Sequence, residues 1–264
     1  MQIGIYLYGL GSVAAGITNL VWGEFEPAHQ PLQAWGEHIP GVTAFAYIAA
    51  IWLIAGGAAV LWRTSARFGA AALAIIYGVF ALFPVPRLYT APHFMGYSLA
   101  VYTGVLASIC QQIILLVPAA VLWRSLAMRS PFSRRSAFIA RCAFGLCSLI
   151  FGLAHLTAVQ MVVPMIPKWM PLPGSFWAVF TGIAFVLAGM AIIARVQEVL
   201  AAELLGLMLL VFSFLVLAPM IFRYPHDHAV WGGNAYNLSA VGATWIFAAC
   251  CRRLQFVALI HEII

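Results

Sequence analysis

Tyr8-Gly9-Leu10-Gly11-Ser12-Val13-Ala14-Ala15-Gly16-Ile17-Thr18-Asn19-Leu20 aligns without a gap on Phe144-Gly145-Leu146-Cys147-Ser148-Leu149-Ile150-Phe151-Gly152-Leu153-Ala154-His155-Leu156, 136 residues further along the chain. After a slip of three residues the correspondence resumes: Pro40-Gly41 falls on Pro173-Gly174, and Ala55-Gly56 on Ala188-Gly189. Self-similarity at a near-fixed offset marks a duplicated structural unit. This reading decides the fold, because it divides the 264 residues into two units of one design. It also directs attention to the places where the copies differ, Asn19 against His155 first among them.

The unit is a membrane one. Hydrophobic residues make up 64% of the chain and charged residues 8%, far from the mix of a soluble domain. Apolar runs at 3–23, 42–62, 67–84, 95–122, 140–163, 175–194, 203–221 and 231–251 lie around the ~20 residues a helix needs to cross ~30 Å of hydrocarbon. Lipid offers no partners for unpaired backbone groups, so such spans are helical. The expected fold is therefore an all-α membrane protein of eight transmembrane helices, arranged as two four-helix bundles over 1–123 and 140–264. A basic linker, 124–139, joins them; it contains Arg124, Arg129, Pro131, Arg134 and Arg135. Each unit has an even number of spans, so the two share one orientation and form a parallel repeat about the membrane normal.

Charge gives the expected orientation. Arg63, Arg67, Arg124, Arg129, Arg134, Arg135, Arg141, Arg195, Arg252 and Arg253 fall on one side, against Arg87, Lys168 and Arg223 on the other. That asymmetry places both termini in the cytoplasm. The net charge of +6 thus reflects topology and contact with the lipid bilayer, and nucleic acid is excluded as a partner. The first apolar run has no basic stretch before it and takes part in the repeat, so it reads as a structural helix rather than a cleaved signal. None of the five cysteines falls in an outer loop, which excludes an extracellular disulfide framework. Cys142/Cys147 and Cys250-Cys251 lie toward cytoplasmic ends, where a thiol or metal site would need those ends to meet. The plainer reading is of small buried residues.

Several chemistries are missing. Intramembrane acids are nearly absent, and without a buried Asp or Glu a proton- or sodium-coupled pump is hard to build. No Gly-rich phosphate loop, HExxH motif or nucleophile with a positioned base occurs. Histidine is what remains. His29, His38, His93, His226 and His228 lie in or beside outer connections, whereas His155 lies inside the fifth span. A polar side chain there is costly and faces the bundle interior or a water-filled cavity. Its bland reading is a helix-to-helix hydrogen bond worth ~0.6 kcal/mol. The functional reading puts His155 in an outward-facing pocket with the His226-Asp227-His228 loop. There it would take a proton from a quinol. Alternatives are a metal held with His226 and His228, or an axial haem ligand; both are weaker, since His-x-His is common in loops and no mid-span mate stands opposite His155. Trp22, Trp35, Trp169, Trp177 and Trp231 read first as an interfacial belt and only second as a ligand cage.

Phe151-Gly152-Leu153-Ala154-His155, Val163-Pro164, Pro167-Lys168-Trp169-Met170-Pro171, Phe176-Trp177, Phe180-Thr181-Gly182 and Ala188-Gly189-Met190-Ala191 together resemble the DoxX-like superfamily of four-span bacterial membrane proteins. The resemblance covers roughly 145–250. The first half, about 5–123, is similar as a diverged copy without the Pro-Lys-Trp element. It implies a four-helix unit, here in tandem, and a setting in thiosulfate:quinone oxidoreduction or in thiol and oxidative-stress pathways. No catalytic motif carries over. The leading expectation is a membrane subunit of a redox system with an outer-side pocket for quinone or another small apolar ligand, working with a redox partner protein. His155 would accept the proton, Asn19 would be its structural counterpart, and Trp169, Trp177, His226, Asp227 and His228 would frame the entrance. The rival is a non-enzymatic membrane protein that binds lipid or a partner, passes a solute, or acts as a scaffold.

Overall fold

A computed structural model of the chain describes residues 2–26, 40–127 and 134–263, the side chains of Arg134 and of 254–263 excepted. Every regular element among the described residues is helical: α1 (Gln2–Trp22), α2 (Val42–Leu61), α3 (Ala66–Leu82), α4 (Arg87–Met95), α5 (Leu99–Ala127), α6 (Arg134–Thr157), α7 (Val159–Val162), α8 (Gly174–Ala194), α9 (Glu198–Phe212), α10 (Ala218–Arg223) and α11 (His228–Ile263). A 3₁₀ turn, Val163–Met165, follows α7, and a π-helical segment, Ser213–Leu217, joins α9 to α10. Six stretches of these helices are long and apolar enough to cross a membrane: Gln2–Trp22, Val42–Leu61, Leu99–Ala127, Arg135–Thr157, Gly174–Ala194 and Glu198–Arg223. The α3–α4 pair, bent by 41°, makes a seventh if it is one span. The chain is an all-α, multi-pass membrane protein on this measure.

Two spans differ from their sequence reading. The stretch 231–251 is helical but is not among the apolar six. Packing explains this. α11 is enclosed by α1, α5 and α9, and it carries Asn237, Ser239 and Thr244 buried between them. A helix shielded from lipid needs no apolar circumference. The stretch 140–163 is not one helix either. α6 stops at Thr157, Ala158 leaves helical geometry at φ −125° and ψ 41°, and Pro164 follows within the 3₁₀ turn.

Close backbone approaches fix the helix pairs. A Cβ on Gly9 would stand 2.9 Å from the Gly57 carbonyl oxygen, and one on Gly145 would stand 2.9 Å from that of Gly189. Gly16 meets Ala50 and Ile54 as Gly152 meets Gly182 and Val186. Small residues permit such crossings in lipid, where packing drives association. Gly57 thus meets Gly9 as Gly189 meets Gly145, whereas the aligned sequences set Gly56 against Gly189. The sequence could not decide, because Gly56 and Gly57 are adjacent; the structure turns Gly56 toward Leu73 of α3 instead.

The helices close a ring. α1 packs on α2, α2 on α3, α3 on α5, α5 on α6, α6 on α8, α8 on α9, α9 on α11, and α11 back on α1, with α5 also touching α11. One continuous core runs through both halves, including Tyr8, Tyr77, Phe144, Phe185 and Phe247. Tyr8 donates to the Leu115 carbonyl at 2.8 Å, and Phe144 stacks on Phe247 at 4.3 Å. At the end where α5 gives way to α6, Arg141 pairs with the buried Glu198 at 3.3 Å, and Arg252 pairs with Glu203. α5 and α6 extend into the expected linker from both sides, and 128–133 lie outside the described residues.

Candidate functional site

A cavity of about 280 Å³ lies among α5, α6, α8, α9, the π-helical segment and α11. Its wall is mostly apolar, from Ile114, Phe151, Phe185, Leu209, Phe212 and Leu217. Five polar residues interrupt it: Gln111, His155, Thr181, Tyr236 and Asn237.

His155 sits in the last turn of α6, its ring 5.4 Å from that of Phe185. Its Nδ1 lies 2.9 Å from the Phe151 carbonyl oxygen. A carbonyl only accepts, so Nδ1 carries the proton, and a neutral imidazole then offers Nε2 as an acceptor. Thr181 commits its hydroxyl proton to the Trp177 carbonyl at 2.8 Å. Tyr236, on the opposite wall, makes no hydrogen bond through its hydroxyl among the described residues.

The π-helical segment shapes that wall. Its i→i+5 pattern widens the turn and leaves carbonyls to be satisfied from elsewhere. α11 supplies the donors: Asn237 Nδ2 reaches the Leu209 carbonyl at 2.8 Å and Ser213 Oγ at 2.5 Å, and Asn234 Nδ2 reaches the Leu217 carbonyl at 3.0 Å. Asn237 is thereby held with its Oδ1 free of protein donors among the described residues. An apolar cavity with a few convergent polar groups is the usual form of a small-molecule site.

Of the residues singled out from sequence, only His155 lines this cavity. Asn19 and His228 meet elsewhere, between α1 and the start of α11. Asn19 Oδ1 accepts from the Glu26 backbone N–H at 3.1 Å and from His228 Nε2 at 3.1 Å. Trp22 stacks on His228 at 4.9 Å, and Glu24 Oε1 stands 3.5 Å from its Nδ1. Burial pushes the His228 imidazole below its ordinary pKa, and Glu24 opposes that shift. Asp227 accepts from the Ala229 N–H at 2.8 Å, which makes it the N-cap of α11. His226 is exposed, as is Trp169, while Trp177 donates to the Pro171 carbonyl at 2.7 Å and braces the start of α8.

The expected grouping of His155 with the His226-Asp227-His228 loop is therefore not formed, and the reason is helical phase. Nine residues at about 100° each separate His228 from Asn237, so the first faces α1 when the second faces the cavity. His29, His38 and Trp35 lie outside the described residues. Tyr236, Asn237 and Gln111 were missed; Asn234 and Asn237, about one turn apart within the span 231–251, were the available signal.

Among the described residues no three His, Cys, Asp or Glu side chains gather as a metal ion would require. Compared with known proteins, the chain matches no family model, no curated protein and no solved structure.

Proposed function

We propose that the protein is a membrane subunit of a quinone-linked redox system, and that the cavity holds the ring of a quinone or quinol. The observation that carries this reading is His155: its Nδ1 proton is committed to Phe151, so Nε2 is the acceptor presented to a ligand hydroxyl. A cavity of about 280 Å³ suits a single substituted ring rather than a whole isoprenoid chain. Quinol oxidation releases two electrons and two protons. His155 takes the proton of one hydroxyl, since imidazole titrates near neutral pH. Tyr236 and Asn237 hold the other ring oxygen, whose proton leaves to water, and the two electrons pass to a redox partner protein.

We further propose eight spans in two parallel four-helix units, with the arginine-rich end and both termini in the cytoplasm of a bacterial inner membrane. The matched glycine contacts of α1–α2 and α6–α8 support the repeat, and the arginine distribution supports the orientation. This arrangement agrees with the DoxX-like resemblance of the second half.

The reading is tested on protein purified in mild detergent, by oxidised-minus-reduced absorption and by mass spectrometry of a solvent extract. It requires a quinone near one per chain. Protein carrying bulk phospholipid alone would favour a non-enzymatic lipid-binding module.

A further inference from the structure

The cavity has room for a ring and little more, so a long substituent on that ring has to leave it. One wall offers the way. Met208 of α9 lines the cavity and also an open groove of about 430 Å³ between α8 and α9. The helix faces divide the two. α8 turns Thr181 and Phe185 to the cavity, and their neighbours Phe180 and Ala184 to the groove. The groove runs on past Ala188 to Ala191 and Gln197, toward the arginine-rich end, and Gln197 is its one polar lining residue among those described. From Phe180 to Ala191 the helix rises roughly 16 Å. The groove is thus a long apolar track that begins at the cavity wall.

A second groove supplies a comparison within the same chain. It measures about 490 Å³ and lies between α2 and α3. Eight of its nine lining residues stand 132 positions before a lining residue of the α8–α9 groove, so the two correspond position for position. They differ in two respects. Among the described residues, none that lines the α2–α3 groove also lines the cavity. Trp52 also stands in the place of Ala184, and its Nε1 donates to the Ala72 carbonyl at 2.9 Å, so the indole crosses from α2 to α3. Ala184 puts only a methyl group at the corresponding place.

We propose that the α8–α9 groove holds the hydrocarbon side chain of the quinol whose ring occupies the cavity, so that the substrate is a long-chain quinol drawn from the bilayer. The inference rests on the cavity reading above and adds a subsite for the chain. The ring enters between α8 and α9 past Met208, and the chain stays outside, along Ala184 and Ala188. Phe180, Leu187 and Leu204, each about half exposed, form the rims of the groove and meet lipid on their outer sides. Apolar burial along the groove favours ligands that carry such a chain over a bare ring. The α2–α3 groove, which has no cavity at its side, takes no part.

The test uses the full chain in lipid nanodiscs of one composition, without oxygen, and two ligands: duroquinol, and its analogue with one methyl replaced by a decyl chain. Partition into the lipid is then the same for every protein compared. Ala184→Trp gives the second groove the indole that the first one carries, and Leu204→Trp obstructs it from the opposite wall at a 54% exposed position. Each should weaken binding of the decyl analogue about tenfold, the worth of roughly two methylenes kept out of the groove, and leave duroquinol binding unchanged. Unchanged duroquinol binding also shows that the variants fold. Ala55→Trp, in the α2–α3 groove, should alter neither affinity. Equal affinity of the decyl analogue for the unsubstituted protein and both α8–α9 variants overturns the chain subsite, leaves the cavity reading standing, and gives the groove to bulk phospholipid. An equal fall for both ligands overturns the subsite too, since the ring and not the chain would then depend on the groove. Absence of duroquinol binding to the unsubstituted protein overturns the cavity reading and the subsite with it.

Discussion

The chemistry of this chain turns on single polar residues whose partners decide their roles. Asn19 and His155 occupy equivalent places in the two aligned segments, yet they do different things. Asn19 has its Oδ1 occupied by Glu26 and His228, whereas His155 satisfies one nitrogen within its own helix and leaves the other to the cavity. The aligned pair was legible in the sequence; its division of labour was not, because it depends on which helix each side chain meets. Tyr236 gives the cleanest test at this scale. Its hydroxyl breaks no protein hydrogen bond when removed, so Tyr236→Phe should leave the melting temperature unchanged while weakening duroquinol binding about tenfold, the worth of one hydrogen bond of ~1–1.5 kcal/mol. A titration and a melt on the same preparation check both halves. His228 carries a pH prediction. Its folded pKa is depressed by burial, so the folded state binds fewer protons than the unfolded chain below about pH 6.5. The stability it contributes is full above that pH and is lost as the pH falls toward the folded pKa. His228→Gln keeps a donor for Asn19 and should flatten the fall in melting temperature between about pH 7 and 5.

Among elements, α11 shows what apolar run length does and does not report. Seven of the eight expected spans meet or approach the measure of length and apolarity, once α3 and α4 are joined. α11 falls short because it is enclosed, and its buried Asn237, Ser239 and Thr244 face other helices rather than lipid. Its location at 231–251 was legible from hydropathy, and its environment was not. Likewise the π-helical segment was not legible, since its wide turn depends on donors from Asn234 and Asn237, seventeen and more residues away. The α1–α11 contact predicts a large local effect. A Cβ on Gly242 would meet the Tyr8 backbone nitrogen and stand 2.6 Å from the Gly4 carbonyl oxygen, neither of which can move without shifting a helix. Gly242→Ala should destabilise the protein by about 1–3 kcal/mol. Gly104, within α5, has nothing within 4 Å of a built Cβ, so Gly104→Ala should be neutral or stabilising by up to about 1 kcal/mol. Unfolding of the two variants in parallel separates a packing requirement from a general intolerance of glycine replacement.

At the scale of the whole molecule, a ring of helices holds its cavity where α5 meets α6, α8, α9 and α11. Between α1 and α3 the interior is filled. Tyr77 bonds to Ser12 at 2.9 Å, and the buried Phe25 packs edge-on against Phe80 and Phe83 at 6.2 and 5.9 Å. Packing of this kind could not be read from the alignment, because Phe25 comes from the turn after α1 and not from an aligned span. Helical class and most span positions were legible from hydropathy, and internal similarity pointed to His155 as a polar residue within a span. The cavity was not, since six helices, the 3₁₀ turn and the π-helical segment contribute to it from distant parts of the chain. The proposed function requires that this cavity take a quinone-type ring through His155. The most direct measurement is the dissociation constant of duroquinol for the unsubstituted protein and for His155→Ala, in the same detergent and at pH 7. One site per chain is expected, with a weakening of about tenfold or more in the variant. Equal affinity in the two proteins would contradict it.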